Sequence, residues 1–455
     1  RDLAVAVVNV LDAHAASSSV QHAGCRTIAA LARKAHAADA LLKAGAASAV
    51  ITAMGNNPWK VDWRGVYALA QMPQAAADSI MELGGFRVVL EAIRRKPYDH
   101  RVVMMGFQII LNFATKPVHA ERLADLGGIV VILHMIREHQ GSFDMLHMCL
   151  AILKSSPFQQ EPIVKKIVEY KGLQAVLDAV RNSPHDNTTF ESLFVQAMNV
   201  LNLWRVPLRN TEELVKTLGG ADLILNTLSA HPTSANLQCA GCLTIGVLSS
   251  GNQASARYFY DRGTLGVVLD AMRNHPGTAH WPACQALFGL PRDVGDAIVE
   301  AGGIGVVLDV LRKSPGERLV SVSSLRVFCR FVTGTDHEET FMKQGGIETV
   351  VSEMRALPQE VEVQKSALKI LRSLALRQKG AAEAIVEAGG LQAALAAGRT
   401  SEDRAHMVGP TLVPLLPALI ATMEASPTPE FCRLACEAFA LLLAGSAAVR
   451  QQVAE

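Results

Sequence analysis

Val299-Glu300-Ala301-Gly302-Gly303-Ile304-Gly305-Val306-Val307-Leu308-Asp309-Val310-Leu311-Arg312-Lys313-Ser314-Pro315 is the stretch that decides the fold, because a degraded copy of it returns about every forty residues along the chain. Aligned on the first glycine of the pair, the copies give the column Asp2, Gly45, Gly84, Gly127, Lys171, Gly219, Gly263, Gly302, Gly345 and Gly389, with spacings between 39 and 48. In seven copies a proline stands thirteen residues later: Pro58, Pro97, Pro184, Pro232, Pro276, Pro315 and Pro358. A fixed interval inside a variable period marks the span from glycine to proline as a rigid element, with insertions confined to the connections. Apolar residues recur inside it at helical spacing, so the glycine reads as the hinge before a helix and the proline as its end.

The copy from Asn252 to Leu290 shows a whole unit. Asn252 to Arg262 predicts a short first helix, Leu265 to Arg273 a second with a wide apolar stripe, and His280 to Leu290 a third. The third helices repeat a pattern of their own: small residue, Cys or apolar, any residue, small residue, large aliphatic. Gly24-Cys25-Arg26-Thr27-Ile28 and Gly241-Cys242-Leu243-Thr244-Ile245 are examples. The large residue recurs as Ile28, Leu69, Ile110, Ile152, Val200, Ile245, Leu287, Phe328 and Leu371, keeping nearly the same period as the glycines.

Repetition replaces the two or three globular domains suggested by 455 residues with one continuous array over 1–455. Residues 1–33 are expected to form a partial first repeat, since Val7-Val8-Asn9-Val10-Leu11 falls in register with the second-helix segment Val307-Leu308-Asp309-Val310-Leu311. Residues 445–455 are expected to open a further one, because Ala447 to Glu455 resembles Ala381 to Glu387, which leads into Gly389-Gly390. With no polar capping unit at either end, the expectation is a piece of a longer chain whose array continues, or is capped by partners, at both ends. Two places break the rule. Between Lys154 and Asn202 the period stretches to 48, and the run from His185 to Thr189 predicts a longer loop. From 398 to 417 the pattern is irregular, with Gly409, Pro410, Pro414 and Pro417 where a third helix should run, which predicts a lost first helix and a hinge.

Composition narrows the function classes. Half the residues are hydrophobic but only 5% are aromatic, so the core is built of Ala, Val, Leu and Ile. A formal net charge of +1 argues against a general nucleic-acid binder or a polybasic membrane anchor. The longest apolar run, Thr411 to Met423, is too short and too proline-broken to predict a membrane span. Eight cysteines embedded in helices suggest a reducing compartment, cytoplasmic or nuclear, rather than a disulfide scaffold.

No catalytic or metal constellation emerges. Cys239-Ala240-Gly241-Cys242 has metal spacing, but Cys242 shares its column with Cys25, Cys149, Cys284 and Cys436, and a residue repeated at one buried helical position reads as packing. Cys432 and Cys436 read the same way. Gly302-Gly303-Ile304-Gly305 follows a helix rather than a strand and lacks phosphate-loop spacing. The reading is therefore non-enzymatic, with no cofactor and no metal.

Three short helices, a glycine hinge between the first two and a period near 42 resemble the armadillo repeat over essentially the whole chain. HEAT repeats, the neighbouring possibility, use two helices. The resemblance implies an all-α fold, a right-handed armadillo superhelical solenoid of about ten three-helix repeats, whose third helices line a concave groove that binds partner proteins. In importin-α-like members an asparagine late in the third helix clamps an extended peptide, and a tryptophan four residues earlier holds lysine stems. Carried onto this chain, the asparagine column reads Ala30, Gln71, Asn112, Lys154, Asn202, Val247, Gly289, Arg330 and Ser373, and the tryptophan column Arg26, Tyr67, Gln108, Leu150, Met198, Leu243, Gln285, Arg326 and Lys369. The second column holds no tryptophan.

The groove these columns predict is graded. Its centre, Leu150, Met198, Leu243 and Val247 with Trp204 nearby, is apolar, and its later part carries Arg326, Arg330 and Lys369. Gln108, Asn112, Lys154 and Asn202 are the polar candidates. The leading expectation is a protein-interaction scaffold that takes an apolar segment at the centre and an acidic group at the arginine end, within a larger assembly. Ala-rich arrays of this kind resemble those of cytoskeletal and ciliary settings. The alternatives are an importin-α-like transport adaptor, opposed by the missing tryptophan–asparagine ladder, and a regulatory solenoid fused to a catalytic domain outside this sequence.

Overall fold

The computed structural model describes residues 2–184, 187–208, 211–399, 408–425 and 428–444, and they are helical throughout, with no strand among them. The chain forms two compact units, residues 1–223 and 224–455. The first begins with the pair Asp2–Ala13 and Ser18–Ala32. Triplets follow: Ala35–Lys43, Ala46–Asn56 and Asp62–Ala70; Ala77–Glu82, Gly85–Arg95 and His100–Phe113; Pro117–Asp125, Gly128–Glu138 and Phe143–Lys154; Glu161–Glu169, Gly172–Arg181 and Asn187–Leu208. The second unit repeats the pattern with Gln253–Asp261, Thr264–Asn274 and His280–Gly289; Gly295–Glu300, Gly303–Lys313 and Arg318–Phe331; Glu338–Lys343, Gly346–Ala356 and Val361–Arg377. Within each unit, second helices pack on second helices and third on third.

The two glycines of each pair do different work. The first adopts a left-handed backbone, φ between +67° and +79° from Gly45 to Gly389, which lets the chain turn sharply into the second helix without a Cβ clash. Lys171, the non-glycine of the column within the repeats, is forced to φ +56°. The second glycine allows close approach: a Cβ on Gly303 would lie 2.6 Å from Ile298 Cγ2 and 2.7 Å from the Ile298 carbonyl oxygen. The same crowding recurs at Gly85, Gly128, Gly172, Gly220, Gly346 and Gly390, each against a buried apolar residue of the preceding helical segment.

An arginine ten residues after the first glycine ties successive repeats together. Arg94 Nη2 donates to the Leu126 carbonyl at 2.8 Å, Arg137 to Tyr170 at 2.6 Å and Arg181 to Leu218 at 3.1 Å. In the second unit Arg273 reaches Ala301, Arg312 reaches Gln344 and Arg355 reaches Ala388 in the same way. Each guanidinium satisfies carbonyls left open at the glycine hinge of the next repeat, where the helix C-terminus favours positive charge. A second staple comes from buried glutamines at the start of third helices. Gln21, Gln238 and Gln364 each donate to two carbonyls that end the preceding second helix, such as Leu228 and His231.

Two expectations change. Asn187 to Thr189 belong to the long third helix Asn187–Leu208 rather than to a loop, while His185 and Asp186 lie outside the described residues. In the irregular segment, residues 400–407 are likewise outside, as are 445–455. From residue 408 a helical run passes through the 3₁₀ turn Val413–Leu415 into Leu416–Ala425, with no separate first helix before it among the described residues. Val408–Ala425 spans 18 residues and is long and apolar enough to cross a membrane by length and composition, more than the run from Thr411 suggests. Its Val408, Leu412, Leu415 and Leu419 are buried in the protein core.

Candidate functional site

Each third helix buries one side and leaves a half-buried stripe on the other. In His100–Phe113 the buried residues include Val102, Val103, Gly106, Phe107, Ile109 and Ile110, and the stripe is Met104, Met105, Gln108 and Asn112. Gln108 donates to Asn112 Oδ1 at 2.7 Å, so these two candidates bind each other across one turn.

The next two third helices correct the predicted groove. Leu150 and Met198 are fully buried, as is Trp204, and none of them faces the stripe. The burial pattern of Phe143–Lys154 matches His100–Phe113 when Leu150 is set against Phe107, so Ala151 rather than Leu150 corresponds to Gln108. In Asn187–Leu208, Met198 likewise corresponds to Phe107, and Asn199 and Leu203 take the stripe positions. The sequence alignment is one residue out in both repeats, and one residue on an α-helix is a rotation of about 100°. Lys154 is exposed and Asn202 half-buried, its Oδ1 enclosed without a hydrogen-bond partner.

The second unit keeps the predicted register. Cys239, Leu243 and Val247 form a half-buried stripe at four-residue spacing on Ala235–Ser249. That helix meets the third helix His280–Gly289 at backbone distance. A Cβ on Gly246 would stand 2.7 Å from the Gln285 carbonyl carbon, and one on Gly289 2.9 Å from Ser249 Cβ. At the C-terminal ends of these two helices a cleft of about 630 Å³ opens, lined by Ser249, Asn252, Phe288, Arg292, Arg326 and Arg330 among others.

Arg326 and Arg330 stand one turn apart on Arg318–Phe331, and both guanidinium carbons lie over the Phe288 ring, 4.1 and 5.1 Å from its centroid. Arg330 Nη2 donates to the Leu290 carbonyl at 2.7 Å, while its Nε is buried without a partner. Burial first, and then the like charge of Arg292, hold the Arg330 guanidinium below its ordinary value. Lys369 is exposed on the following third helix, Val361–Arg377. The sequence columns locate Arg326, Arg330 and Lys369 but miss Ser249, Asn252, Phe288 and Arg292. Phe288 adjoins the Gly289 column, and no repeated position signals Arg292.

The cysteine column divides. Cys25, Cys149, Cys242 and Cys284 are fully buried, and burial pushes the thiols of Cys25, Cys242 and Cys284 up to about 12. Two places in that column are corrected: Cys149, one residue out with the rest of its helix, stands opposite Gly106, and Cys436 is exposed, with Ala435 the buried residue there. Among the described residues no group of three or more His, Cys, Asp or Glu side chains is arranged to hold a metal.

No protein-family model matches the sequence, and no curated protein matches it. Among solved structures, the chain is similar to an engineered protein from the Northeast Structural Genomics Consortium, with a TM-score of 0.72 at 21% identity, over 91% of this chain and 98% of that one. A second engineered protein from the same consortium aligns at 17% identity with a TM-score of 0.44, over 55% of this chain and 97% of that one. The first likeness is one of fold: the chain shares its all-helical architecture.

Proposed function

We propose that the chain is a continuous, right-handed armadillo-type solenoid of about ten three-helix repeats, and that it acts without chemistry of its own as a protein-interaction scaffold. In this reading a segment of a partner protein docks on the third-helix face of the second unit, with apolar side chains against Leu243 and Val247 and acidic groups against Arg326 and Arg330. The repeated three-helix unit with its left-handed glycine hinge supports the armadillo-type assignment over a two-helix HEAT unit.

The observation that carries the docking reading is the stacking of Arg326 and Arg330 on Phe288, in a cleft where neither has a carboxylate partner among the described residues. Cations held on an aromatic face and left without a counter-charge are arranged for an acidic ligand. A basic transport signal is the less supported ligand. It would meet these arginines, and Asn112, the counterpart of a peptide-clamping asparagine, is already engaged by Gln108. The test compares proteins that co-purify with the tagged full chain, wild type against Arg326→Glu, at matched folding by circular dichroism. A stoichiometric protein partner lost from the variant supports docking here; a partner retained in full places it elsewhere.

A further inference from the structure

We propose that the cleft at the C-terminal ends of Ala235–Ser249 and His280–Gly289 is a phosphomonoester site, reading a phosphorylated serine or threonine in the docked segment of the partner. This rests on the docking face described above and adds the chemistry that the partner must carry.

The cleft carries a net excess of positive charge. Arg326 and Arg330 lie on Phe288, Arg292 is exposed at the rim, and none of the three has a carboxylate partner among the described residues. The carboxylate of Asp293, which also lines the cleft, is bound to Arg257. Three cations gathered in one concavity repel one another until an anion enters.

Buried donors in the wall are also unspent. Ser249 is 2% exposed, lines the cleft, and its hydroxyl has no hydrogen-bond partner. Arg330 Nε is enclosed in the same state, although Nη2 of that side chain is occupied by Leu290. Buried polar groups are nearly always paired, so two unpaired donors in one charged wall point to a missing acceptor. The nine-residue helix Gln253–Asp261 starts at the cleft, with Asn252 and Gln253 in its lining, and adds the partial positive charge of a helix N-terminus.

Phosphate fits this donor set better than carboxylate does. A phosphomonoester brings three acceptor oxygens and a charge of about −1.5 to −2, whereas a carboxylate has two oxygens in one plane. The cleft volume, about 630 Å³, is many times that of a phosphoryl group. The excess accommodates the side chain and flanking backbone of a segment, which favours a phosphorylated residue over a free ion.

The experiment uses the full chain and a degenerate library of fluorescent phosphoserine heptapeptides, with matching libraries bearing glutamate or serine at the same place, read by fluorescence anisotropy. The expected result is at least about tenfold tighter binding of the phosphoserine pool than of the glutamate pool, with a loss of about the same size in Arg330→Gln and in Arg292→Gln. Arg292 is exposed, so its variant keeps the fold if Arg330→Gln does not. Equal affinity for the glutamate pool, or unchanged affinity in both folded variants, overturns the phosphoryl site. Displacement by inorganic phosphate at concentrations matching the peptide Kd overturns the assignment to a segment. The two proposals also separate. A native partner that needs Arg326 but survives phosphatase treatment leaves the docking face standing and removes the phosphate, while phosphopeptide binding with no Arg326-dependent partner does the reverse.

Discussion

Asp62 and Arg95 meet at 2.8 Å across neighbouring repeats, the aspartate on the third helix Asp62–Ala70 and the arginine at the end of the next second helix, Gly85–Arg95. The Asp62 side chain is wholly buried, and it also accepts from the Trp59 backbone at 3.1 Å and from Arg95 Nε at 3.3 Å. Removing Arg95 strands the enclosed Asp62 carboxylate, whose remaining neighbours are the Trp59 amide and Lys96 Nζ at 3.9 Å, at a cost of about 3 kcal/mol. Arg95→Ala is therefore expected to lower the urea midpoint strongly, and Asp62→Ala less, because the Arg95 side chain is 21% exposed and keeps Glu91 at 3.7 Å. Changing both residues to apolar ones of similar volume should cost much less. A double-mutant cycle on Asp62 and Arg95 with no coupling would remove this bridge from the account of how these repeats are held in register.

The hinge column offers a paired test. Lys171 holds φ +56° where the other repeats use glycine, and a left-handed L-residue costs about 1–2 kcal/mol. Lys171→Gly should raise stability by up to about 1 kcal/mol, since part of the relief is offset by the entropy of glycine in the unfolded chain. Gly302→Lys, at φ +73°, should shift stability the opposite way. Gly303→Ala should be worse than either through steric overlap with Ile298, costing about 1–3 kcal/mol. Chemical denaturation of the three variants orders them, and a stabilising Gly303→Ala would contradict the close-approach role of the second glycine.

Much of this architecture can be read in the sequence because it obeys hard steric rules. The left-handed hinge tolerates little but glycine, and the proline thirteen residues on cannot continue a helix, so Gly302 and Pro315 stand out through any drift of the residues between. The Arg94, Arg137, Arg312 and Arg355 column could be found by the same count, ten residues past the hinge, but a surface arginine carries no meaning until the carbonyl it caps is in view. The face of a third helix is harder still. Leu150 and Met198 look like groove residues if Ile152 and Val200 are aligned with Ile110, yet apolar residues fill both candidate columns and pattern alone does not detect a slip of one. The arginine cleft lies half outside the repeat: Arg326 and Arg330 occupy repeated positions, but Arg292 and Ser249 come together with them only through the backbone contact at Gly246 and Gly289.

Thiol reactivity should separate the cysteines that the repeat pattern groups together. Cys25, Cys149, Cys242 and Cys284 are enclosed, and their raised pKa values leave almost no thiolate at neutral pH. Cys436 is exposed on the last described helix, Pro429–Ala444. Brief alkylation of the native protein followed by mass spectrometry should label Cys436 first, with the four buried residues labelled only in denaturant. Early labelling of Cys242 would mean that its helix opens, and that the Cys239–Cys242 pair is available to chemistry after all.

Glu353 gives the array a pH dependence whose sign can be worked out. It sits 2% exposed on Gly346–Ala356, where the Ser321 hydroxyl donates to its Oε2 at 2.5 Å. Burial raises its pKa above the ordinary 4.5, and the hydrogen bonds from Ser321 and the Gly316 backbone only partly oppose that. The folded-state value thus lies above the unfolded one, so the contribution of this group to stability is fully present below the unfolded value and is lost as pH rises through the folded value. Glutamine keeps an acceptor for Ser321 and carries no charge to desolvate. Glu353→Gln should therefore exceed the wild type in urea midpoint at pH 8, and the gap should close as pH falls towards 4. Parallel midpoints across that range would mean that Glu353 is already ionised at no cost in the fold, and that the environment around Ser321 is more polar than its burial implies.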